Sequence, residues 1–153
     1  MIKYAKGDVL QSKADVILHQ VNCQGVMGSG LAKQVRGKYP WVYAEYKQLC
    51  DNAKKLPNGS KSLLGVTQFI FINEHQQIGN VFGQDRFGYD KCYSDYNALK
   101  KCLTYVDNKF KGKQVAIPYL MSCGRGGGNW EAVLNIIETT LINCDVVIYE
   151  YQE

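Results

Sequence analysis

Two glycine clusters constrain the fold of this 153-residue chain more than any other feature, one at residues 25–30 and the other at 124–128. Each cluster follows a short apolar run typical of a buried strand and precedes apolar residues at helical spacing. A strand, a turn and a helix in this order form the repeating unit of a parallel sheet, and such turns lie at its carboxyl edge. We therefore expect both clusters at the same edge of one sheet.

The other apolar patterns extend this alternation along the chain. They predict strands at 2–4, 16–21, 65–73, 77–82, 115–119 and 145–151, and helices at 30–39, 41–53 and 94–109. A last helix is expected after Asn129, a favourable N-cap residue, and Pro40 should separate the first two helices. The order predicts one domain over residues 1–153, an α/β fold of three layers (α/β/α) around a mixed, largely parallel central sheet.

Composition narrows the classes of partner. The formal net charge of +4 favours an anionic ligand but is too small and dispersed to indicate a nucleic-acid binder. The sequence has no signal-peptide pattern and no apolar run near the roughly 18 residues of a membrane span, so we expect a cytoplasmic protein without a membrane partner. None of the six cysteines forms a CxxC pair, and we expect free thiols, no metal and no organic cofactor.

Both glycine clusters have the chemistry of a phosphate-binding turn. Glycine lets the backbone approach a ligand closely, and the helix that follows presents unpaired amides and the positive end of its dipole. Such helix starts favour phosphate, and two of them facing each other indicate a diphosphate. Neither cluster matches G-x-x-x-x-G-K-[ST] or G-x-G-x-x-G, so two plain flexible connections remain the alternative.

Three stretches carry a resemblance to the macrodomain family: residues 6–8 (KGD), 19–23 (HQVNC) and 28–32 (GSGLA) resemble the opening of macrodomains. Residues 118–130 resemble their second loop. The similarity is closest to the branch that processes ADP-ribose 1''-phosphate and to the related branch that removes terminal ADP-ribose from glutamate. The resemblance implies ADP-ribose or a derivative as the ligand, and an ADP-ribosylated protein as a further partner.

The resemblance also implies which residues bind this ligand. Asp8, with Val9 beside it, would accept a hydrogen bond from the adenine amine, Tyr149 would contact adenine, and Asn22 would lie near the distal ribose. The phosphate loops would comprise Gly28, Ser29, Gly30 and Leu31, and Ser122, Cys123, Gly124, Arg125, Gly126 and Gly127. A turn-forming Asp8, an Asx turn at Asn22 and a core Tyr149 are the alternatives.

Catalysis would involve His19, placed just before the first cluster, with Asp85 or Asp90 to position or activate water. The alternative for His19 is a buried histidine that orients the loop, and the alternative for the segment with Asp85 and Asp90 is a solvated surface loop. Glutamate-specific hydrolases of the branch use an aspartate in the second loop, where Gly126 stands here, and a lysine that Lys91 matches only loosely. The resemblance therefore favours metal-independent hydrolysis of ADP-ribose 1''-phosphate, or ADP-ribose binding alone, over a de-ADP-ribosylating hydrolase.

Overall fold

The computed structural model describes residues 2–151 of the chain, which form six strands and four α-helices. The strands are β1 (Ile2–Lys6), β2 (Val16–Asn22), β3 (Thr67–Phe71), β4 (Gln77–Gln84), β5 (Gln114–Pro118) and β6 (Asp145–Glu150). The helices are α1 (Gly30–Lys38), α2 (Pro40–Ala53), α3 (Tyr96–Lys109) and α4 (Trp130–Thr140). Each predicted strand and helix is therefore present, with ends that differ by one or two residues.

The six strands form one sheet in the order β1-β6-β5-β2-β4-β3. All neighbours pair in parallel except β3 and β4, which are antiparallel. The short connection between Ile72 and Gln76, closed by an amide-to-carbonyl hydrogen bond of 2.9 Å, leaves no room for a crossover helix and so enforces the antiparallel pairing. The predicted mixed, largely parallel sheet is confirmed.

Helices cover both faces of this sheet. On one face α3 and α4 pack over a core that includes Val16, Leu18 and Leu99. On the other face α1 and α2 pack over two smaller clusters, which contain Ile17 and Val21. Alternate residues of β2 thus enter opposite cores, as expected for a strand buried on both sides. The three-layer α/β/α architecture is confirmed.

Local signals set the helix ends. Pro40 is the first residue of α2, where its missing amide costs no hydrogen bond. Tyr39, with non-helical angles of φ −129° and ψ 74°, ends α1 and separates it from α2. The Asn129 side chain accepts a hydrogen bond from the Ala132 amide at 3.2 Å, which confirms it as the N-cap of α4. Within residues 2–151, no helix is both long and apolar enough to cross a membrane.

Candidate functional site

A cleft opens at the carboxyl edge of the sheet between β2 and β5. These strands are neighbours, but the chain leaves β2 toward α1 on one face and leaves β5 toward α4 on the other. Strands that diverge in this way leave a crevice beyond their carboxyl ends, where open α/β sheets bind ligands. The cleft has a volume of about 360 Å³.

Both glycine-rich loops line this one cleft. The first loop contributes Val26 and residues 28–32, and the second contributes residues 118–122 and 124–126. The rest of the lining comes from the end of β2 (residues 19–22), from Gln84 and from Phe87 and Tyr89 in the loop that follows β4. The expectation that the two loops meet at one edge is therefore correct.

The first loop presents the N-terminus of α1 to the cleft. Ser29 is the N-cap residue, yet among the described residues its side chain makes no capping hydrogen bond. The amides of the first helical turn lack intrahelical acceptors, so they and the Ser29 hydroxyl are available to a ligand. Gly28, Ser29, Gly30 and Leu31, the first phosphate loop predicted from the resemblance, all line the cleft, and their contact with phosphate stays a prediction.

Asn22 shapes the first loop from the end of β2. Its Oδ1 accepts a hydrogen bond from the Gln24 amide at 2.9 Å, and its Nδ2 donates to the Val26 carbonyl at 2.8 Å. The buried Tyr46 hydroxyl lies 2.6 Å from the Asn22 carbonyl oxygen. Asn22 lines the cleft, but most of its side-chain hydrogen-bonding capacity maintains the turn.

The second loop has a strained backbone. Leu120 and Ser122 adopt positive φ angles of 64° and 75°, which cost roughly 1–3 kcal/mol each for residues other than glycine. Side chains beneath the loop hold this conformation: Ser122 Oγ donates to Gln20 Oε1, and Ser94 Oγ donates to the Ser122 carbonyl at 2.8 Å. Strain that is held by surrounding contacts is typical of ligand-binding segments.

A side chain at position 126 does not fit in this loop. A Cβ built on Gly126 would collide with Ser94 Oγ and would lie 2.7 Å from the Ser122 carbonyl and 2.8 Å from Gln20 Nε2. Glycine is therefore required here by packing. The aspartate that the resemblance places at this position in glutamate-specific hydrolases has no room in this chain.

The loop between β4 and α3 is fastened to the second loop. The amides of Tyr93 and Ser94 both donate to the Gly126 carbonyl at 2.7 Å. The Arg125 guanidinium lies 5.6 Å from the Phe87 ring centroid and 5.3 Å from that of Tyr89, within cation–π range. Arg125 and two aromatic rings thus form one rim of the cleft.

The cleft has the electrostatics of an anion site. Among the described residues that line it, none is Asp or Glu, and Arg125 supplies a positive charge. Asp85 and Asp90, the predicted catalytic carboxylates, are not lining residues. Asp85 Oδ1 accepts hydrogen bonds from Ser60 Oγ at 2.7 Å and Gln24 Nε2 at 3.0 Å, behind the first loop.

Asp90 is exposed and accepts a hydrogen bond from the Tyr93 hydroxyl at 2.7 Å, which is the main reason that the pKa of its carboxyl is lowered. Neither carboxylate therefore joins the residues that face the cleft. A role for Asp85 or Asp90 in activating water stays a prediction, without a contact to favour it.

His19 lines the floor of the cleft and is almost completely buried. Its Nε2 lies 2.6 Å from Asn80 Oδ1 on the neighbouring strand. Burial lowers the pKa of the imidazole to about 4, and the hydrogen bond to Asn80 only partly offsets that effect. The ring is therefore neutral at neutral pH, so it lacks the second proton that an imidazolium would release as a general acid.

The residues predicted to bind adenine lie beside the cleft rather than in its lining. Asp8 accepts a hydrogen bond from the Leu10 amide at 2.9 Å and so caps a short 3₁₀ turn, and Val9 is buried within it. Tyr149 of β6 is half-buried and pairs with Pro118, which does line the cleft. Asp8 and Val9 follow β1, and Tyr149 belongs to β6, so all three lie on the β1–β6 side of the sheet.

Two predicted residues of the second loop also lie outside the lining, namely Cys123 and Gly127. A Cβ on Gly127 would meet the backbone of Lys91 and Cys92, so this glycine contacts the loop after β4. Sequence reasoning missed Gln20, Gln84 and Asn80. Gln20 and Asn80 gave a signal, because each is a polar residue inside a predicted buried strand, whereas Gln84 lies beyond the predicted end of its strand at residue 82.

No metal-binding cluster of three or more His, Cys, Asp or Glu side chains occurs within the described part of the chain. The cleft instead offers backbone amides, hydroxyls, carboxamides and a guanidinium, which are hydrogen-bond partners for phosphate and sugar groups.

Comparison with known proteins found relatives over most of the chain, although no family model matches it. The chain is 40% identical over 152 residues to the DNA ADP-ribosyl glycohydrolase of Mycobacterium tuberculosis, which covers 97% of this chain and 42% of that protein. It therefore spans less than half the length of that relative. It is 30% identical over 124 residues to the ADP-ribose 1''-phosphate phosphatase of Meyerozyma guilliermondii, covering 79% of this chain and 68% of the phosphatase.

A solved structure shares the fold. The macrodomain of Mycobacterium tuberculosis DarG superposes with a TM-score of 0.75 at 24% identity, and the match covers 97% of each chain. The strand order, the two loops at one cleft and the identity to the phosphatase all indicate the same family. The chain belongs to the macrodomain family, of the type that processes ADP-ribose 1''-phosphate.

Proposed function

We propose that the cleft binds ADP-ribose, with the diphosphate between the two glycine-rich loops. The observation that carries this proposal is that both loops line one cleft in which, among the described residues, Arg125 is charged and no side chain is acidic. The uncapped start of α1 at Ser29 adds free amides to the same site. A diphosphate needs donors on both sides, and the two loops provide them.

The orientation of the ligand follows from the sheet. Asp8 and Tyr149 lie toward β1 and β6, where the adenine would be held, and the β2–β4 side would then receive the distal ribose. Asn22, at the end of β2, is on this side. We infer that the 1'' position of the sugar lies near the first loop and the rim formed by Phe87, Tyr89 and Arg125.

We further propose that the chain hydrolyses ADP-ribose 1''-phosphate. The first loop has donors for the terminal phosphate in the Ser29 hydroxyl and the amides of α1. Because the described lining holds no carboxylate, and burial makes the His19 imidazole a weak base by lowering its pKa to about 4, the phosphate of the substrate is the remaining candidate to accept the proton of the attacking water. This chemistry needs no side-chain base.

A second candidate is the removal of ADP-ribose from DNA. It is favoured by a comparison that covers nearly the whole chain, in which 97% of this chain is 40% identical to a protein named DNA ADP-ribosyl glycohydrolase. The two reactions break different bonds, the phosphate ester in one and the glycosidic bond at the 1'' carbon in the other, but both substrates contain ADP-ribose, so one ligand site serves either.

Calorimetry with ADP-ribose tests the binding proposal, and a titration that yields no heat and shifts no amide resonance would refute it. Product analysis with ADP-ribose 1''-phosphate and with ADP-ribosylated oligonucleotide then tests the two reactions. Binding without product from either substrate would make the chain a reader of ADP-ribose.

The catalytic prediction is tested with His19→Ala, Asp85→Ala and Asp90→Ala. Asp90→Ala is the cleanest variant, because the Asp90 side chain is exposed and its only described side-chain partner is Tyr93. Asp85→Ala also removes the hydrogen bonds to Ser60 and Gln24, so its folding must be measured in parallel. Unchanged turnover in all three would rule out these residues as catalytic groups.

A further inference from the structure

One buried side-chain nitrogen in residues 2–151 has no hydrogen-bond partner, and it lies in a residue that lines the cleft. This atom is Nδ1 of His19. Unpaired polar atoms in a protein interior destabilise the fold, and native structures contain few of them. An unpaired buried nitrogen in a residue of the binding cleft therefore suggests a functional role for that nitrogen.

The partners of the ring define which nitrogen carries the proton. Asn80 Nδ2 donates to Gln68 Oε1 at 3.0 Å, so Asn80 Oδ1 is the atom that faces His19 Nε2 at 2.6 Å. A carboxamide oxygen only accepts hydrogen bonds, and Nε2 must therefore carry the proton. In the neutral ring, Nδ1 is then a bare acceptor, and what it lacks is a donor.

The chemistry of the ligand limits what that donor is. At neutral pH the diphosphate oxygens of ADP-ribose are acceptors, so they would repel the Nδ1 lone pair. The ribose hydroxyls can donate. His19 belongs to β2 and pairs with β4, on the side of the sheet opposite to β1 and β6, which would place it nearer the distal ribose than the adenine.

We propose that His19 is a specificity-determining residue, whose Nδ1 accepts a hydrogen bond from a hydroxyl of the distal ribose. This inference rests on the proposed binding of ADP-ribose. Nδ1 is buried in the described structure, so the contact requires a local rearrangement of the cleft floor when the ligand binds.

Nitrogen-15 NMR of the intact chain tests the contact directly. The chain has two histidines, and His75 is exposed in the turn between β3 and β4, so it serves as an internal reference. Saturating ADP-ribose should move the His19 Nδ1 resonance upfield, toward the protonated range, while ADP, which lacks the distal ribose, should not. An Nδ1 resonance that ADP-ribose leaves in place would overturn the proposal.

The double variant His19→Leu/Asn80→Leu tests the energetic consequence. It removes both members of the buried pair, so neither a ring nitrogen nor the Asn80 carboxamide is left unpaired, and the Gln68 oxygen that loses its donor belongs to a side chain that is only partly buried. We therefore expect its folding stability to be close to that of the wild type. The ratio of ADP-ribose to ADP affinity should fall about threefold to tenfold, the effect of one neutral hydrogen bond.

The outcomes distinguish a failure of the proposed function from a failure of the proposed role of His19. A wild-type chain that does not bind ADP-ribose refutes the proposed function. A wild type that binds, with an unchanged affinity ratio in the double variant, refutes only the role of His19. If the double variant does not fold, the NMR titration of the wild type decides the question alone.

Discussion

Replacing Gly126 by alanine tests whether the second loop is held by packing from below. The added Cβ would collide with Ser94 Oγ and would lie 2.7 Å from the Ser122 carbonyl and 2.8 Å from Gln20 Nε2. Overpacking of a buried site costs about 1–3 kcal/mol, and loss of the hydrogen bond from Gln20 to Ser94 adds about 1 kcal/mol. For a chain of this length, the melting temperature should fall by about 5–15 °C.

The matched control is Gly124→Ala, two residues earlier in the same loop. A Cβ at Gly124 meets no described atom within 4 Å, so its effect on unfolding should stay within about 0.5 kcal/mol. Urea denaturation and differential scanning calorimetry of both variants give the free energies of unfolding. Equal stability of Gly126→Ala and Gly124→Ala would refute the claim that the network beneath the loop fixes its shape.

Three further predictions concern charge, protons and thiols. Arg125→Ala should lower the affinity for ADP-ribose about tenfold in calorimetry, because Arg125 is the charged side chain among the described cleft residues; wild-type affinity would contradict the anion site. The pKa of His19 is lowered from 6.5 to about 4, so the unfolded chain binds more protons than the folded chain between these two pH values. The free energy of unfolding should therefore rise by up to about 3 kcal/mol from pH 4 to pH 6.5, with no further contribution from His19 above pH 6.5. A free energy of unfolding that stays constant over this range in denaturation experiments would contradict the prediction. Iodoacetamide at pH 8 should modify the exposed Cys92 before the four buried cysteines, because burial raises the pKa of each buried thiol. If mass spectrometry found a buried cysteine modified first, the burial of that cysteine in the structure would be contradicted.

Much of the fold was predictable because its signals are local. The apolar period changes at each element, Pro40 and Asn129 mark helix starts, and the glycine clusters follow strands. The antiparallel pairing of β3 and β4 required only the short connection between them. What sequence patterns left open was the exact ends of the elements.

The candidate site was predictable only at the level of the backbone. Both loops were expected at one edge, and they line one cleft. The sequence placed Asp85 and Asp90 near the same edge, but it could not show that Asp85 is engaged by Ser60 and Gln24 or that Asp90 bonds to Tyr93. Position along the chain locates a loop without giving the direction of its side chains.

The sequence by itself determined the order of strands and helices, and with it the edge at which two glycine-rich turns meet, since periodicity and turn chemistry act over a few residues. Tertiary structure decided which polar groups face the cleft. Gln20 meets Ser94 and Ser122 across 74 and 102 residues, and His19 meets Asn80 across 61. Those partners are chosen by strand register, which depends on the packing of the whole sheet.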